Sequence, residues 1–600
     1  MKDAQSFYHQ LRLKIRRKIR TKKRQLEDAA LQTDDSINRL VFRRFENLYH
    51  VRRFVFAWVL LTFFIGFGSI WQVRGLDKYY LEALPANGGV YREGVLGTFT
   101  NASPLFAVTN VDVAVSRLIF PGLFKIAPNG NLESDLATGF SVDEKGLVYT
   151  VTLRSDVLWH DGQRMSADDV VFTYNTIKNS DVNSPLNSSW QDVQVKKIDD
   201  YTVAFTLPNV LSSFKYSLTN GIVPEHVLKA VEPGTLRTSL FNTVNPIGTG
   251  PFKYEKVEVI GVDPDKRQEK LTLTANDRYY KGDVSLDGIV IRTYRDEESL
   301  VKDFDDRLIT SMVGLSDLPE NLPKDATLQS YSTPLRSAVM VFFNTSGPVL
   351  ADQKVREALI KATSTDEVRN SLPYQLVEVD SPFLKSHFAY NDSKTQYDTD
   401  QEAAKKLLDD AGWVLKDDGF RYKNDQRLTL HIVSQSIAEY STAVQHLQEQ
   451  WSKVGIDLKA SLQTEENVQS TVIASHNYEV LLYGIAIGPD PDVFAFWHSS
   501  QSDQSLRTRL NLSEYRSDAA DTSLEAGRTR IDENLRRVKY EPFLDAWRKD
   551  VPAIALYQPR FLVVTRGSIE NYPNGQFNGP SDRFYSVERW QIRREKSIKR

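Results

Sequence analysis

Residues 132–170 read LESDLATGFSVDEKGLVYTVTLRSDVLWHDGQRMSADDV, and this stretch contains clear signals of local structure. Residues 148–154 alternate between apolar and polar side chains, which is typical of a β-strand with one buried face. Ser166, followed three residues later by Asp169, predicts a capping box that opens a helix. The turn between them contains Gly162, which allows the positive φ that a tight turn requires. The stretch therefore predicts a strand, a turn and a helix.

The alternation of short strands with helices continues along the chain. Gly412 and Gly455 directly follow two predicted helices, where a residue in the left-handed conformation commonly ends a helix. The pattern indicates mixed α/β architecture. The predicted elements are strands at 202–207, 271–275, 289–293, 428–433 and 456–462, and helices at 398–411 and 440–454.

An apolar segment without charge, Phe54–Val73, reads FVFAWVLLTFFIGFGSIWQV and has 20 residues. A helix of that length spans roughly 30 Å, the thickness of the hydrocarbon core of a bilayer. Trp58 and Trp71 lie near its ends, where indole rings favour the membrane interface. A cleaved signal peptide has a shorter apolar core and a small-residue cleavage site, which this segment lacks. We therefore expect an uncleaved transmembrane helix over residues 54–74.

Charge is distributed unevenly on the two sides of this segment. Residues 1–53 hold 15 Lys and Arg against 6 Asp and Glu, although the whole chain has a net charge of −3. The basic flank of a membrane helix faces the cytoplasm, so we expect a single-pass membrane protein with residues 75–600 outside the cell.

Residues 6–30 have apolar side chains at helical spacing among basic ones. One interpretation is a cytoplasmic helix that lies on anionic lipid. The other is a solvated helix that only enforces the topology. The segment lacks the aromatic pattern that stacks on bases, so we expect no nucleic-acid partner.

The sequence does not predict chemistry on a substrate. The chain has no cysteine, which excludes disulfides, thiol catalysis and a lipid-modified N-terminal cysteine. It contains no nucleophile elbow, HExxH pair or phosphate-loop pattern, and His160 is interpreted as a turn residue. We expect no enzyme activity, no cofactor and no metal site.

Several motifs occur together in the order of a known family. Residues 132–140, 149–154, 159–162 and 166–170 resemble the signature of the extracellular solute-binding proteins of family 5. These are the oligopeptide and dipeptide receptors of ABC importers. Further matching motifs follow at 248–252, 275–282, 342–344, 355–359, 403–412, 490–492 and 552–557.

This resemblance implies a periplasmic-binding-protein-like fold of type II, in which two lobes contain three subdomains with mixed sheets. The lobes are expected to close by a hinge motion around an extended peptide and to deliver it to ABC permease subunits. The implied division of the chain is a basic cytoplasmic segment at 1–53, the transmembrane helix at 54–74, a linker at 75–87, a solute-binding domain at 88–592 and a basic tail at 593–600. Lobe 1 is expected at about 88–335 plus 556–592, and lobe 2 at about 336–555.

The same resemblance indicates where the ligand binds. In family members a carboxylate three residues before the Asp-Pro-Asp motif captures the α-amino group of the peptide, but Ile487 occupies that position here. The usual tryptophan three residues earlier is replaced by Gly484. An isoleucine cannot pair with an ammonium group, so either Asp490 or Asp492 replaces the missing carboxylate or the ligand has no free α-amine.

Two candidate residues also have structural interpretations. Asp490 fits the cap of a helix with Pro491 at its first position. Asn344 fits a packing role within its lobe. The candidate ligand-binding residues are Tyr483, Asp490, Asp492, Trp497, His498 and Asn344.

Two alternatives to peptide capture stay open at this point. The same fold binds non-peptide solutes such as oligosaccharides and metal chelates, and a fold does not choose among ligands. The outer domain also suits a surface sensor or adhesin, which a permease partner would distinguish from a transport protein.

Overall fold

The computed structural model describes residues 21–22, 52–261, 263, 267–319, 322, 327–503 and 509–598. The chain divides into two compact units. One contains the residues up to Leu84 and those from Arg594 onward, and the other is Pro85–Arg593. Of the basic segment predicted to be helical at 6–30, only Thr21 and Lys22 belong to the described residues.

The first unit contains the long helix α1, Arg52–Tyr80. Its segment Arg53–Gln72 is long and apolar enough to cross a membrane, and none of that segment is buried within the protein. The strand β1, Leu81–Ala86, follows directly and pairs with a C-terminal strand, Arg593–Ile598. The residues predicted as a linker and a basic tail therefore contribute helix and strand.

The second unit contains two large sheets, and each sheet organises one lobe. The strands are β2 Val90–Leu96, β3 Phe124–Ile126, β4 Leu132–Ser134, β5 Ala137–Val142, β6 Val148–Leu153, β7 Gln194–Asp199, β8 Thr202–Thr206, β9 Phe252–Ile260, β10 Gln268–Ala275, β11 Gly288–Tyr294, β12 Ser311–Val313, β13 Leu328–Pro334, β14 Ser337–Phe343, β15 Val377–Glu378, β16 Val414–Leu415, β17 Arg421–Lys423, β18 Gln426–Arg427, β19 Thr429–Gln435, β20 Asp457–Gln463, β21 Val480–Ala486, β22 Ala553–Gln558 and β23 Arg560–Arg566.

The first lobe is organised by a seven-stranded sheet in the order β13-β23-β12-β2-β11-β10-β9. This sheet is mixed, because β2 is parallel to β11 and β12 whereas β10 is antiparallel to β9 and β11. A smaller antiparallel sheet, β5-β6-β8-β7, forms a subdomain of the same lobe.

The second lobe is organised by a mixed six-stranded sheet in the order β15-β22-β14-β21-β19-β20. The chain enters this lobe between β13 and β14 and leaves it between β22 and β23. The two crossings are neighbours, since the N–H of Leu335 donates to the carbonyl of Pro559 at 2.8 Å. Two adjacent strand connections are the arrangement expected of a hinge.

The helices and strands of the structure confirm most of the elements that were predicted from periodicity. In the capping box, Ser166 Oγ accepts from Asp168 N and Asp169 accepts from Ser166 N. The helix predicted at 398–411 begins later, because the Asp400 side chain caps it by accepting from Ala403 N. The helices after α1 are α2 Asn110–Ile119, α3 Ala167–Lys178, α4 Asn187–Trp190, α5 Phe214–Ser217, α6 Glu225–Leu228, α7 Glu297–Asp305, α8 Gln353–Ala362, α9 Thr365–Asn370, α10 Gln401–Asp410, α11 Ala438–Ser452, α12 Glu465–Asn467, α13 Phe494–Trp497, α14 Asp518–Arg528 and α15 Glu533–Asp550.

An ion pair in the core attaches the C-terminal part of the first lobe to its central strand. Arg583 donates two hydrogen bonds to Glu93 on β2, at 3.0 and 2.5 Å, and both side chains are almost fully buried. Tyr91 donates a further bond from its hydroxyl to Glu93 at 3.1 Å. Charges buried in this way are stable only as a pair, because each alone carries an uncompensated desolvation cost.

Replacing Arg583 should therefore destabilise the protein severely. We expect Arg583→Ala to lower the free energy of unfolding by about 3–5 kcal/mol, since Glu93 is left buried and unpaired. The measurement is urea unfolding of the detergent-solubilised chain. Arg589→Ala, at a side chain that is 64% exposed, is the control and should change stability by less than about 0.5 kcal/mol. Equal losses in the two variants would show that Glu93 does not depend on this partner.

Candidate functional site

Two hydrogen bonds join the lobes near the Asp-Pro-Asp motif. Ser213 in the first lobe donates from its hydroxyl to Asp492 Oδ2 in the second, at 2.9 Å. The neighbouring N–H of Ser212 donates to the carbonyl of Arg528 on α14, at 3.0 Å. The lobes are thus in contact, and Asp492 lies directly at their junction.

Asp492 is already paired within its own lobe. Arg528 Nη2 donates to Asp492 Oδ2 at 3.2 Å. The Arg528 guanidinium also lies over the ring of Phe494, with 4.1 Å between the guanidinium carbon and the ring centroid. The carboxylate therefore has both a cation and a hydroxyl as partners. The cation, Arg528, belongs to its own lobe, and the hydroxyl, of Ser213, belongs to the first lobe.

Asp490 forms a buried, two-pronged ion pair with Arg536 on α15. Arg536 Nη1 and Nη2 donate to the two carboxylate oxygens at 2.9 and 2.5 Å, and the Arg536 side chain is only 1% exposed. Burial opposes the charge of Arg536, but its bonds to Asp490 outweigh that effect and raise its pKa above the ordinary value. The interpretation of Asp490 as a helix cap is wrong, because α13 begins only at Phe494 and has Val493 at its cap position.

The loop before the motif is held by backbone hydrogen bonds. The N–H groups of Ile487 and Gly488 both donate to the carbonyl of Arg336, at 3.0 and 2.9 Å. His387 Nε2 bonds to the carbonyl of Gly488 at 2.9 Å. Burial lowers the pKa of His387 to about 4, so the ring is neutral near pH 7 and its Nε2 carries the proton that is donated.

Arg336 connects this loop to the first lobe at the hinge. Its guanidinium donates to the carbonyls of Pro128 and Gln576, at 2.5 and 3.0 Å, and to Asn578 Oδ1 at 3.3 Å. Burial lowers the pKa of Arg336 below the ordinary value. Three neutral acceptors from the first lobe therefore hold a cation that lies at the start of the second lobe.

Two aromatic candidates have structural partners. Trp497 is fully buried, with its ring 5.8 Å from that of Phe342 and 5.9 Å from that of Trp547. His498 stacks on Phe494 at 4.1 Å, and its Nδ1 accepts from the N–H of Ser500. The structure places both side chains in the packing of the second lobe.

The remaining candidates lie on or beside β21. Tyr483 is half-buried, and its hydroxyl accepts from Gln469 Nε2 at 3.4 Å. Asn344 Nδ2 donates to the carbonyl of Tyr478 at 3.1 Å, and its Oδ1 accepts from Ser346. Asn344 thus closes a turn within the second lobe, at a position where both ends of its amide are occupied.

His160 has the role of a turn residue. Its Nδ1 accepts from the N–H of Gly248 at 3.2 Å, and its Nε2 bonds to the carbonyl of Gly250 at 3.1 Å. Burial lowers the pKa of His160 to about 4, so the ring stays neutral near pH 7. With both ring nitrogens bound to backbone, this histidine is not available for proton transfer.

A groove of about 960 Å³ runs between the lobes beside these contacts. Such a volume is at the upper end of the range of about 300–1,000 Å³ that small-ligand sites occupy. Both lobes contribute to its walls, so a movement of one lobe relative to the other would change the width of the groove. Its lining includes Asp192, Leu211 and Phe214 from the first lobe and Phe494, Glu525 and Arg528 from the second.

Sequence reasoning missed the residues that neutralise and join the candidate site. Arg536 and Arg528 are 46 and 36 residues away from their carboxylate partners, and Ser213 is 279 residues from Asp492. No local pattern distinguishes these residues from the other Arg and Ser of the chain. Only the fold brings them together.

Two lobes joined by adjacent crossings, with a groove between them, define a periplasmic-binding-protein fold of type II. Solved structures agree with this expectation. NikZ from Campylobacter jejuni, in complex with Ni(L-His), has a TM-score of 0.69 and 26% identity, over 84% of this chain and 99% of that one. AppA from Bacillus subtilis, in complex with a nonapeptide, has a TM-score of 0.68 and 23% identity, over 85% of this chain and 100% of that one.

The sequence comparisons agree with the fold. The profile of the family described as bacterial extracellular solute-binding proteins, family 5 Middle, matches residues 131–506. The oligopeptide-binding protein AppA of Bacillus subtilis is 25% identical over 527 residues, which cover 85% of this chain and 92% of that protein. The chain belongs to family 5 of the bacterial extracellular solute-binding proteins. It is a solute-binding component of an ABC importer and not an enzyme.

Removing the hydroxyl that joins the lobes should favour the open arrangement. A net hydrogen bond to a charged group contributes about 1.5–3 kcal/mol, so we expect Ser213→Ala to shift the open–closed equilibrium roughly tenfold or more. Because the chain has no native cysteine, spin labels at Lys196→Cys and Asp518→Cys report the distance between lobes.

The matched control is Ser189→Ala, on the same wall of the groove, where the serine side chain makes no bond across the junction in the described part of the chain. Its distance distribution should stay that of the unmodified protein. An unchanged distribution in Ser213→Ala as well would mean that this bond does not hold the lobes together.

Proposed function

We propose that the protein captures oligopeptides in the groove between its lobes and delivers them to an ABC permease. The observation that carries this proposal is the groove itself, whose walls come from both lobes and whose volume of about 960 Å³ accommodates several residues. A binding site shared by two hinged lobes couples ligand capture to closure, which a permease can recognise. The similarity to AppA, solved with a nonapeptide, supports a peptide as the ligand class.

The ligand's α-amine is not expected to provide the main contact. The position three residues before the Asp-Pro-Asp motif, where family members have a carboxylate, is Ile487. The two acids of the motif already have partners, since Asp490 is paired with Arg536 and Asp492 with Arg528. An ammonium group gains little from a carboxylate whose charge is already compensated by a guanidinium. Backbone hydrogen bonds and bridging water are then the expected source of affinity.

Peptides with free and acetylated N-termini should therefore bind almost equally. We expect a nonapeptide pool to raise the melting temperature of the full-length protein in detergent, because ligand at 100 times its Kd adds about 2.7 kcal/mol of stability. For single peptides, acetylation should change Kd by less than about threefold in isothermal titration.

The variant to compare with the unmodified protein is Arg536→Met, because it leaves the Asp490 carboxylate without the guanidinium that pairs with it. If the unmodified protein bound the peptide with a free amine ten times more tightly, the claim that the α-amine provides little affinity would be wrong. No binding by any peptide would contradict the proposed function and would turn attention to an amino-acid–metal chelate, the ligand class seen with NikZ.

We propose further that α1 tethers the binding domain to the outer face of the cell membrane. Its apolar segment has a length that matches the bilayer, and its side chains are exposed, as in Phe63 at 66% and Trp71 at 71%. Apolar side chains in that number are stable in lipid and unstable in water. The basic residues 1–53 would then face the cytoplasm.

The absence of native cysteine makes this topology directly measurable. We expect a membrane-impermeant maleimide to label Ser141→Cys on intact cells and to label Ser6→Cys only after the cells are lysed. The protein should also stay in the membrane fraction after carbonate extraction. Labelling of both positions on intact cells, or release of the protein by carbonate, would exclude a membrane-spanning tether.

A further inference from the structure

Part of the groove between the lobes has an apolar floor, and each lobe adds one acidic side chain to its walls. Leu211 and Phe214 on the first lobe and Phe494 on the second line it together. Phe494 is covered on one face by Arg528 and on the other by His498, at 4.1 Å in each case, so only its edge is left for the groove. An occupant of this part of the groove therefore meets apolar side chains from both lobes.

Each lobe adds one exposed carboxylate to the lining. Asp192 lies on the wall of the first lobe and has no ion pair or side-chain hydrogen bond among the residues that the structure describes. Glu525 lies on α14 in the second lobe, its side chain is 64% exposed, and the His498 Nε2 lies 3.3 Å from its Oε1. Arg528, the cation of the lining, is already paired with Asp492.

The groove begins where the lobes meet. Phe214 belongs to α5, and the preceding Ser213 makes the bond to Asp492 that closes the junction. Arg528 both lines the groove and pairs with Asp492. The groove is therefore continuous with the junction at Asp492.

We propose that the part of this groove lined by Leu211, Phe214, Asp192 and Glu525 is a side-chain subsite for a Lys or Arg residue of the bound peptide. The methylene stem packs on Leu211 and Phe214, and the cationic head lies between Asp192 and Glu525. Long basic side chains combine an apolar stem with a charged end, which matches an apolar floor between acidic walls. Because the two acids come from different lobes, a bound cation also favours closure. This inference rests on the proposed peptide-binding function.

The test uses the full-length protein in detergent and two sets of acetylated nonapeptides made of Ala and Gly. In one set a single Arg occupies each position in turn, and in the other citrulline, which is neutral and nearly isosteric, replaces it. We expect the Arg peptide to bind about fivefold more tightly than the citrulline peptide at one position or at two adjacent positions. This ratio corresponds to the upper end of what a solvent-exposed ion pair contributes. The preference should vanish in 1 M NaCl, where the Debye length is about 3 Å.

The variant that tests the residues is Asp192→Asn with Glu525→Gln. It should abolish the preference for Arg and change the affinity for the citrulline peptides by less than twofold. The matched control, Asp417→Asn with Glu466→Gln, removes the same charge from exposed positions that do not line the groove and should keep the preference.

The outcomes separate this inference from the function on which it rests. If both peptide sets bind equally well to the unmodified protein, the subsite is excluded and peptide capture stands. The subsite is also excluded if the preference for Arg survives in the Asp192 and Glu525 variant, or if that variant weakens both sets alike. If neither set binds, peptide capture fails and the subsite with it.

Discussion

The chain passes between its two sheets at two adjacent strand connections, and this constraint governs how the binding domain works. Leu335 bonds to Pro559 between the crossings, and Arg336 extends from the first crossing to three acceptors of the first lobe. The carbonyl of the same arginine accepts from Ile487 and Gly488 in the second lobe. The loop that carries the Asp-Pro-Asp motif is thus positioned from the hinge, and rotation of one lobe moves it relative to the other.

The protein compensates its buried charges, at this junction and in the core of the first lobe, with its own side chains. Asp490 has Arg536, Asp492 has Arg528 and a serine hydroxyl, and Glu93 in the first lobe has Arg583. Such pairs are expensive to break because each partner alone is poorly solvated. The carboxylates at the centre of the candidate site are therefore compensated by arginines, which is why we propose that backbone groups, water and the more exposed groove recognise the ligand.

Local pattern predicted the elements better than it predicted the site. The strand and capped helix around residues 148–178 follow from alternation and from Ser166 and Asp169, since these signals act within one turn or one strand. The Asp490 cap fitted the local sequence equally well but did not form, because a bidentate arginine on α15 offers the carboxylate two charged hydrogen bonds. Tertiary contacts override a local preference of about 1 kcal/mol when they contribute more than it does.

Reading the chain residue by residue was enough to predict the α/β elements, the apolar segment at 54–73, the absence of thiol chemistry and the order of motifs that identifies the family. These properties are local, or they are a matter of spacing along the chain. The folded chain was needed to learn which carboxylates are neutralised, which hydroxyl joins the lobes and which side chains line the groove. Those contacts join residues up to 490 positions apart, and their partners are chosen by how the chain packs around its two sheets. No periodicity in the sequence encodes that choice.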